Sequence, residues 1–373
     1  MKILHCIYDN PSNPWLGGGG AEGTFASARF MESKGHQTTI LCAGFKGAPG
    51  KTSESFGEII HAGIGVSYLL SRLSYSVFSF FYIVRKYRNY DLIVDDTSPF
   101  SPTFSFVFSK RIPVIANIRN IFGLHIVKKK PVAGIAAILF EYLILHCYCT
   151  YIVVSPYMKE YIPRKKKCEI LPNGINFEEI PDLSNDTKEL YIAFLGRIEI
   201  YQKGLDILVQ AIFSLENLLR EKGVTVEFAG SGNDEQAFKQ LIAQNKLEEI
   251  CHCIGRIEGD EKYHFLARAM FCVCPSRYEA MPRVPLEAQA CGTPVIASDI
   301  PSFRFVVKNH ESGILVEPEN IPRLEESLKD LVLNDEKKIL FGKNAVNFSR
   351  KFQRNIFLND RMQMYKNTIK AFR

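Results

Sequence analysis

Residues 271–299 read FCVCPSRYEAMPRVPLEAQACGTPVIASD, and this stretch decides the fold. Phe271–Cys274 is a short apolar run, the pattern of a strand buried on both faces. Leu286–Ala290 then reads as a helix, closed by Gly292 at its C-terminus, and Pro294–Ala297 as a second buried strand. Strand, helix and strand in that order build a parallel sheet covered on both faces.

The same alternation runs outward through the whole chain. Upstream, Leu190–Leu195 reads as a strand. Gly204 to Lys222 reads as one amphipathic helix with Leu208, Ala211, Ile212, Leu215 and Leu219 on one face. Val224–Ala229 is a strand ending in Gly230-Ser231-Gly232. The N-terminal part repeats the theme: strand Ile3–Tyr8, a glycine run Gly17–Gly20, helix Glu22–Ser33 stopped by Gly35, and strand Thr38–Cys42. Leu92–Val94, Val114–Ile118 and Tyr151–Val154 are further strands, and Asn355 to Phe372 is a final helix. A turn-rich stretch at 181–186, PDLSND, interrupts the pattern. These readings predict an α/β protein of two Rossmann-like, doubly wound domains, residues 1–180 and 187–350, with a helix in 351–373 packing back on the first. Ligands in such sheets bind outside the carboxyl ends of the strands, so a cleft shared by the two domains is the expected site.

A chain of 373 residues suits two cores rather than one. Hydrophobic residues are 46% and charged residues 23%, the balance of a globular protein. No secretory signal is evident, and the most apolar run, Val132–Leu145, is too short to span a bilayer and carries Glu141. A cytoplasmic protein is expected. Ten cysteines include three Cys-x-Cys pairs, Cys147/Cys149, Cys251/Cys253 and Cys272/Cys274. Zinc sites use wider spacing. Residues i and i+2 of a strand face one way, so these pairs read as small hydrophobes on buried faces in a reducing compartment. The excess of positive charge lies in the first half: residues 1–180 hold 20 Lys+Arg against 13 Asp+Glu, and the remainder 26 against 27.

Two groups of residues carry chemistry. Glu279 follows a strand and Glu287 lies on the next helix, so both can face one cleft. Carboxylates accept hydrogen bonds from paired hydroxyls, as a sugar or ribose offers, and the helix N-terminus between them favours a phosphate. The competing reading is two surface glutamates flanking a turn. Arg197 and Lys203 follow the 190–195 strand and precede a helix. Two cations at a strand's carboxyl end can neutralise a diphosphate, Arg as a fork and Lys as a point charge, or they can simply be a solvated turn.

Together these residues resemble glycosyltransferase family 4. Arg197 with Lys203, the Glu279-x7-Glu287 pair, ACGTPVIASD (290–299), LPNGIN (171–176) and ESGILVEP (311–318) are similar to that family's segments and stand in its order. The resemblance implies a GT-B fold of two Rossmann-like domains facing each other across a cleft, and a retaining, metal-independent hexosyltransferase with no cofactor. Its donor would be a UDP-sugar or GDP-sugar and its acceptor a glycan or lipid-linked molecule, in surface polysaccharide biosynthesis. It also implies roles: Arg197 and Lys203 hold the donor diphosphate, Glu279 binds donor-sugar hydroxyls, and Glu287 the ribose. Ala280 and Met281 present backbone N–H groups, Arg256 meets the base, and Gly230 and Gly232 allow close backbone approach. Ala280 and Pro282 stand where many relatives have glycine, and Pro282 has no N–H to give a phosphate. The family's catalytic-looking mid-domain histidine is replaced around Ile115–Asn120, where Arg119 is expected to take its catalytic place, the alternative being His125 folded back into the cleft.

The glycine run, with Gly18 and Gly19 at its centre, suits phosphate or acceptor binding or else a turn; it is not a dinucleotide fingerprint. Asp95-Asp96 reads as a pair of polar loop residues, and His5, His36 and His264 as core or surface residues. Aromatic and basic residues interleave at Phe78, Phe80, Phe81, Tyr82, Arg85, Lys86 and Arg88, with further clusters at Lys128–Lys130 and Arg164–Lys167. Two readings are open for them: peripheral docking on an anionic membrane, or an ordinary solvated basic surface. A nucleotide-sugar epimerase and a non-catalytic nucleotide-sugar-binding subunit are the rival functions on this fold. No nucleic-acid partner is expected.

Overall fold

The computed structural model describes the chain except residues 14–18, 122, 124–126 and 128–130. Gly18, His125 and Lys128–Lys130 therefore lie outside the described residues. The chain divides into two compact units, Met1–Asn173 with Ile356–Arg373, and Gly174–Asn355.

The first unit is built on a sheet of eight strands among the described residues. They are β1 (Lys2–Cys6), β2 (Gln37–Ala43), β3 (Lys51–Glu54), β4 (Gly57–Ala62), β5 (Leu92–Asp95), β6 (Val114–Ile118), β7 (Thr150–Val153) and β8 (Lys167–Ile170). Their order is β3-β4-β2-β1-β5-β6-β7-β8. All neighbours pair in parallel except β3 with β4. That hairpin was not visible as alternation, because neither strand carries a long apolar run. The core contains Ile3, Leu92, Val94, Ile115 and Ile152 from the sheet, packed against Met364, Tyr365 and Ile369 of the C-terminal helix Arg354–Phe372. Apolar strand residues and one stripe of that helix thus share a dry layer.

The second unit is a doubly wound sheet of β9 (Tyr191–Leu195), β10 (Thr225–Ala229), β11 (Cys251–Gly255), β12 (Phe271–Cys274), β13 (Val295–Ser298) and β14 (Gly313–Val316). The order is β11-β10-β9-β12-β13-β14, every pair parallel. Counted from β9 this is 3-2-1-4-5-6, the Rossmann order, and its direction reverses between β9 and β12. The predicted helix from Gly204 to Lys222 is two pieces, Leu205–Ser214 and Glu216–Lys222, preceded by a separate short helix, Ile200–Lys203. Gly204 is left-handed (φ 64) and Leu215 leaves helical geometry (φ −101, ψ 7). The apolar face continues across the break at Leu215, with Leu205, Leu208, Ala211, Ile212 and Leu219 all buried.

Two expectations about single residues fail. Cys147 ends a helix and Cys149 precedes β7, and both are exposed; strand periodicity did not apply to them. Asp95 and Asp96 are not polar loop residues, because the side chains of both are buried.

Candidate functional site

In the second unit, the reversal of strand order opens the sheet where β9 and β12 end, and the loops after those two strands carry the predicted residues. Leu195 leads into Gly196, Arg197 and the short helix ending at Lys203; Cys274 leads into Pro275 and then Glu279. The Lys203 amine lies 2.5 Å from Glu279 Oε1, and Ser276 Oγ donates to the same oxygen at 3.2 Å. Both members of the pair are largely shielded, at 20% and 14% side-chain exposure, so the attraction is screened less than at a surface. Arg197 is more open and reaches Glu199 Oε1 at 3.1 Å. Tyr278 sits among these charges: burial first, then Glu199 and Glu279, push its phenol up to about 12. The structure therefore gathers Arg197, Lys203 and Glu279 around one strand opening.

What holds these loops together was not legible as a motif. Gly204 makes it possible for the Lys203 segment to lie against the β12 loop: a Cβ there would stand 2.1 Å from the Pro275 carbonyl oxygen. Arg277 then bolts the two loops. Its guanidinium forks onto both Asp206 oxygens (2.8 and 2.7 Å), donates to the Tyr201 carbonyl (2.8 Å) and to Glu319 (2.5 Å), and stacks over the Tyr201 ring. The hydrogen bonds to Asp206 head the causes that hold this guanidinium even further from deprotonation than usual. Such forks favour Arg over Lys.

Gly230 and Gly232 do permit close approach, but of one loop on another. A Cβ on Gly230 would overlap the Gly196 carbonyl oxygen, and one on Gly232 would stand 2.2 Å from that of Ile198. A backbone bond from Ile198 N to Ser231 O (3.0 Å) and a bond from Ile200 N to the side-chain Oδ2 of Asp234 (2.9 Å) complete the seam.

Glu287 belongs to a second cluster. It lies in the first turn of helix Val284–Ala290 and is buried. Lys262 and Arg283 both donate to its Oε1, at 3.0 and 3.2 Å. Burial would lower the Lys262 pKa, yet the Glu287 charge outweighs it and the pKa is raised. Lys262 lies on helix Gly259–Arg268, and only its tertiary contact with Glu287 reveals the pairing. Ala280 and Met281 occupy the bend between Glu279 and Pro282. Arg256 is exposed and pairs with Glu258, apart from both clusters.

The first unit has its own charged centre, also where its strand order reverses, between β1 and β5. Asp96 follows β5 and accepts from His5 Nε2 (3.2 Å) and Thr24 Oγ1 (3.0 Å), with Asn117 on its other oxygen. Arg119, just after β6, places Nε 3.0 Å from Asp96, Nη1 3.1 Å from Asn173 Oδ1 and Nη2 2.6 Å from Thr24 Oγ1. Burial alone would raise the Asp96 pKa, but Arg119 and His5 outweigh it and hold the carboxyl well below the usual range. Neighbouring Asp95 goes the other way: burial raises it, against hydrogen bonds from Ser105, Thr103 and Tyr148. Gly19 opens helix Gly19–Ser33, whose first turns pass under Arg119: a Cβ on Gly20 would lie 3.3 Å from Arg119 Cδ.

Two sheets, each with charged groups at its reversal of strand order, define a protein of the GT-B class. Solved structures agree on the fold. Sucrose-phosphate synthase from Thermosynechococcus elongatus superposes with a TM-score of 0.86 over 99% of both chains at 18% identity. The Anabaena protein HepE, in complex with UDP-glucose, gives 0.73 over 100% of both chains at 16% identity. Residues 17–179 match the family described as Glycosyltransferase Family 4, and residues 176–348 the one described as Glycosyl transferases group 1. The chain belongs to the family 4 type of GT-B glycosyltransferases. A glycosyltransferase of Methanocaldococcus jannaschii whose own function is uncharacterised is 31% identical over 203 residues, 54% of each protein. The chain spans about half the length of the curated relatives it matches.

Proposed function

We propose that this chain transfers a hexose, with retained anomeric configuration, from a UDP-sugar or GDP-sugar to a hydroxyl of a glycan or lipid-linked acceptor in surface polysaccharide biosynthesis. The observation that carries this reading is the cluster of Arg197, Lys203 and Glu279 at the strand reversal of the second sheet. Breaking the anomeric bond leaves a nucleoside diphosphate with growing negative charge. An ammonium and a guanidinium placed at that point stabilise the departing group as its charge grows, which lowers the barrier. They supply the charge that a divalent ion supplies elsewhere, so the reading needs no metal and no cofactor.

In this reading the donor replaces part of the internal pairing. Lys203 exchanges some of its attraction to Glu279 for a phosphate oxygen, while Glu279 turns its remaining acceptor capacity to sugar hydroxyls. Glu287, oriented by Lys262 and Arg283, meets the ribose. Ala280 and Met281 offer backbone N–H groups near the phosphate. The leaving diphosphate itself takes the acceptor's proton, so no enzyme nucleophile is required. Arg119 serves as a positioning residue, since its three nitrogens already meet Asp96, Asn173 and Thr24. A UDP-hexose donor is favoured by the likeness to a protein solved with UDP-glucose.

The test is a thermal-shift panel of UDP, GDP, ADP and CDP with their sugars on the full chain. One uracil or guanine diphosphate should raise Tm selectively. Equal response to all four, or to none, would remove the donor assignment.

A further inference from the structure

Helix Tyr68–Lys86 in the first unit buries mostly serines and exposes an apolar face. Its buried face carries three serines, Ser71, Ser74 and Ser79, with Tyr75 and Ile83. Its exposed face carries Leu69, Leu73, Val77 and Phe81, each more than half exposed and spaced four apart, so that they form one stripe. Scattered surface hydrophobes need no explanation, but a continuous stripe does. Helix Pro131–Cys147 is apolar on two faces: Ala137, Ile144 and Leu145 are buried with Glu141, while Ile135, Leu139, Tyr142 and Leu143 point out.

The two helices form one surface. Phe104, held in a left-handed turn (φ 56), places its ring 6.5 Å from Phe80 of the first helix and 6.4 Å from Phe140 of the second. Val107, from the same turn, is exposed beside them. The charge along the first helix has one sign. No Asp or Glu occurs from Tyr68 to Arg88, and Arg85, Lys86, Arg88, Lys110 and Arg111 are all exposed.

We propose that this face docks on the surface of an anionic lipid bilayer. Its apolar stripe would enter the boundary between headgroups and acyl chains, with the cations against acidic headgroups. Apolar side chains presented to solvent while serines are buried fit a surface whose working solvent is lipid. A cationic rim is complementary to anionic headgroups, and a protein partner would not demand it. The contact is peripheral: among the described residues no helix is long and apolar enough to cross a membrane. The inference stands apart from the donor reading, since vesicle binding requires no nucleotide.

The full chain is floated with vesicles of phosphatidylcholine alone, and of phosphatidylcholine with phosphatidylglycerol, at low and high salt. Three proteins are compared: wild type, Val77→Ser/Phe81→Ser, and Arg85→Gln/Lys86→Gln. Wild type should float with the anionic vesicles and fall off as salt rises, and each double variant should lower the bound fraction roughly tenfold. The altered side chains are exposed, and unchanged melting curves will establish that the variants are folded. Wild type remaining at the bottom with both vesicle types would overturn the proposal. So would equal flotation of the variants. A concentration-dependent dimer that Val77→Ser/Phe81→Ser dissociates, without lipid binding, would assign the face to self-association instead.

Discussion

Replacing Gly204 with alanine tests how the proposed donor site is assembled. Gly204 has φ 64, a region that costs an L-residue about 1–2 kcal/mol. The new Cβ would also stand 2.1 Å from the Pro275 carbonyl oxygen, well inside van der Waals contact. Forcing such an overlap in a packed site costs about 1–3 kcal/mol more. Gly223 provides the control: it has the same φ of 64 but nothing within 4 Å of a Cβ. Gly223→Ala should therefore cost about 1–2 kcal/mol, and Gly204→Ala about 2–5 kcal/mol. For a domain of this size 1 kcal/mol lowers Tm by roughly 2–4 °C, so calorimetry can separate the two. Gly204→Ala should also push the Lys203 segment off the β12 loop and weaken nucleoside-diphosphate binding, which Gly223→Ala should leave alone. Equal Tm losses, or intact nucleotide affinity in Gly204→Ala, would refute the reasoning.

Further outcomes follow from the same geometry. Lys203→Ala should mainly slow turnover, by about 3 kcal/mol or roughly a hundredfold, whereas Glu287→Ala should mainly weaken nucleotide binding; steady-state kinetics with a donor panel separates the two effects. Arg277→Lys loses the fork on Asp206 and should raise the donor KM with a modest fall in Tm, both measurable on one preparation. Asp96→Asn leaves Arg119 and His5 without their counter-ion and should cost about 3–5 kcal/mol in chemical denaturation. Because the Asp96 pKa is depressed in the folded chain, wild type should hold its contribution above the ordinary carboxylate pKa of about 3.9 and lose it as pH falls further. Asp96→Asn should show a flatter acid limb.

The fold was largely legible because its strands are short apolar runs with glycine at their ends. Phe271–Cys274 followed by a helix and Gly292 announces a parallel unit without any tertiary information. What the pattern missed depended on tertiary context. The helix predicted from Gly204 to Lys222 keeps one apolar face through its break at Leu215, and periodicity could not reveal that Gly204 is a left-handed joint to a preceding short helix. Cys147 and Cys149 follow the strand spacing yet straddle a helix end. In the second unit, Glu279 and Lys203 were expected to share one opening because charged residues after strands sit at the open end of a sheet, and the structure pairs them. Arg277 and Lys262 were missed because their partners, Asp206 and Glu287, are far off in sequence. Asp96 was misread because a carboxylate in a predicted loop looks solvated until Arg119 and His5 are seen to surround it.

The most direct test is titration calorimetry of the preferred nucleoside diphosphate and its monophosphate, on wild type and on Lys203→Ala. If a cation after β9 holds the second phosphate, wild type should prefer the diphosphate by about tenfold or more, and Lys203→Ala should lose most of that preference. A preference that survives the substitution unchanged would contradict the account.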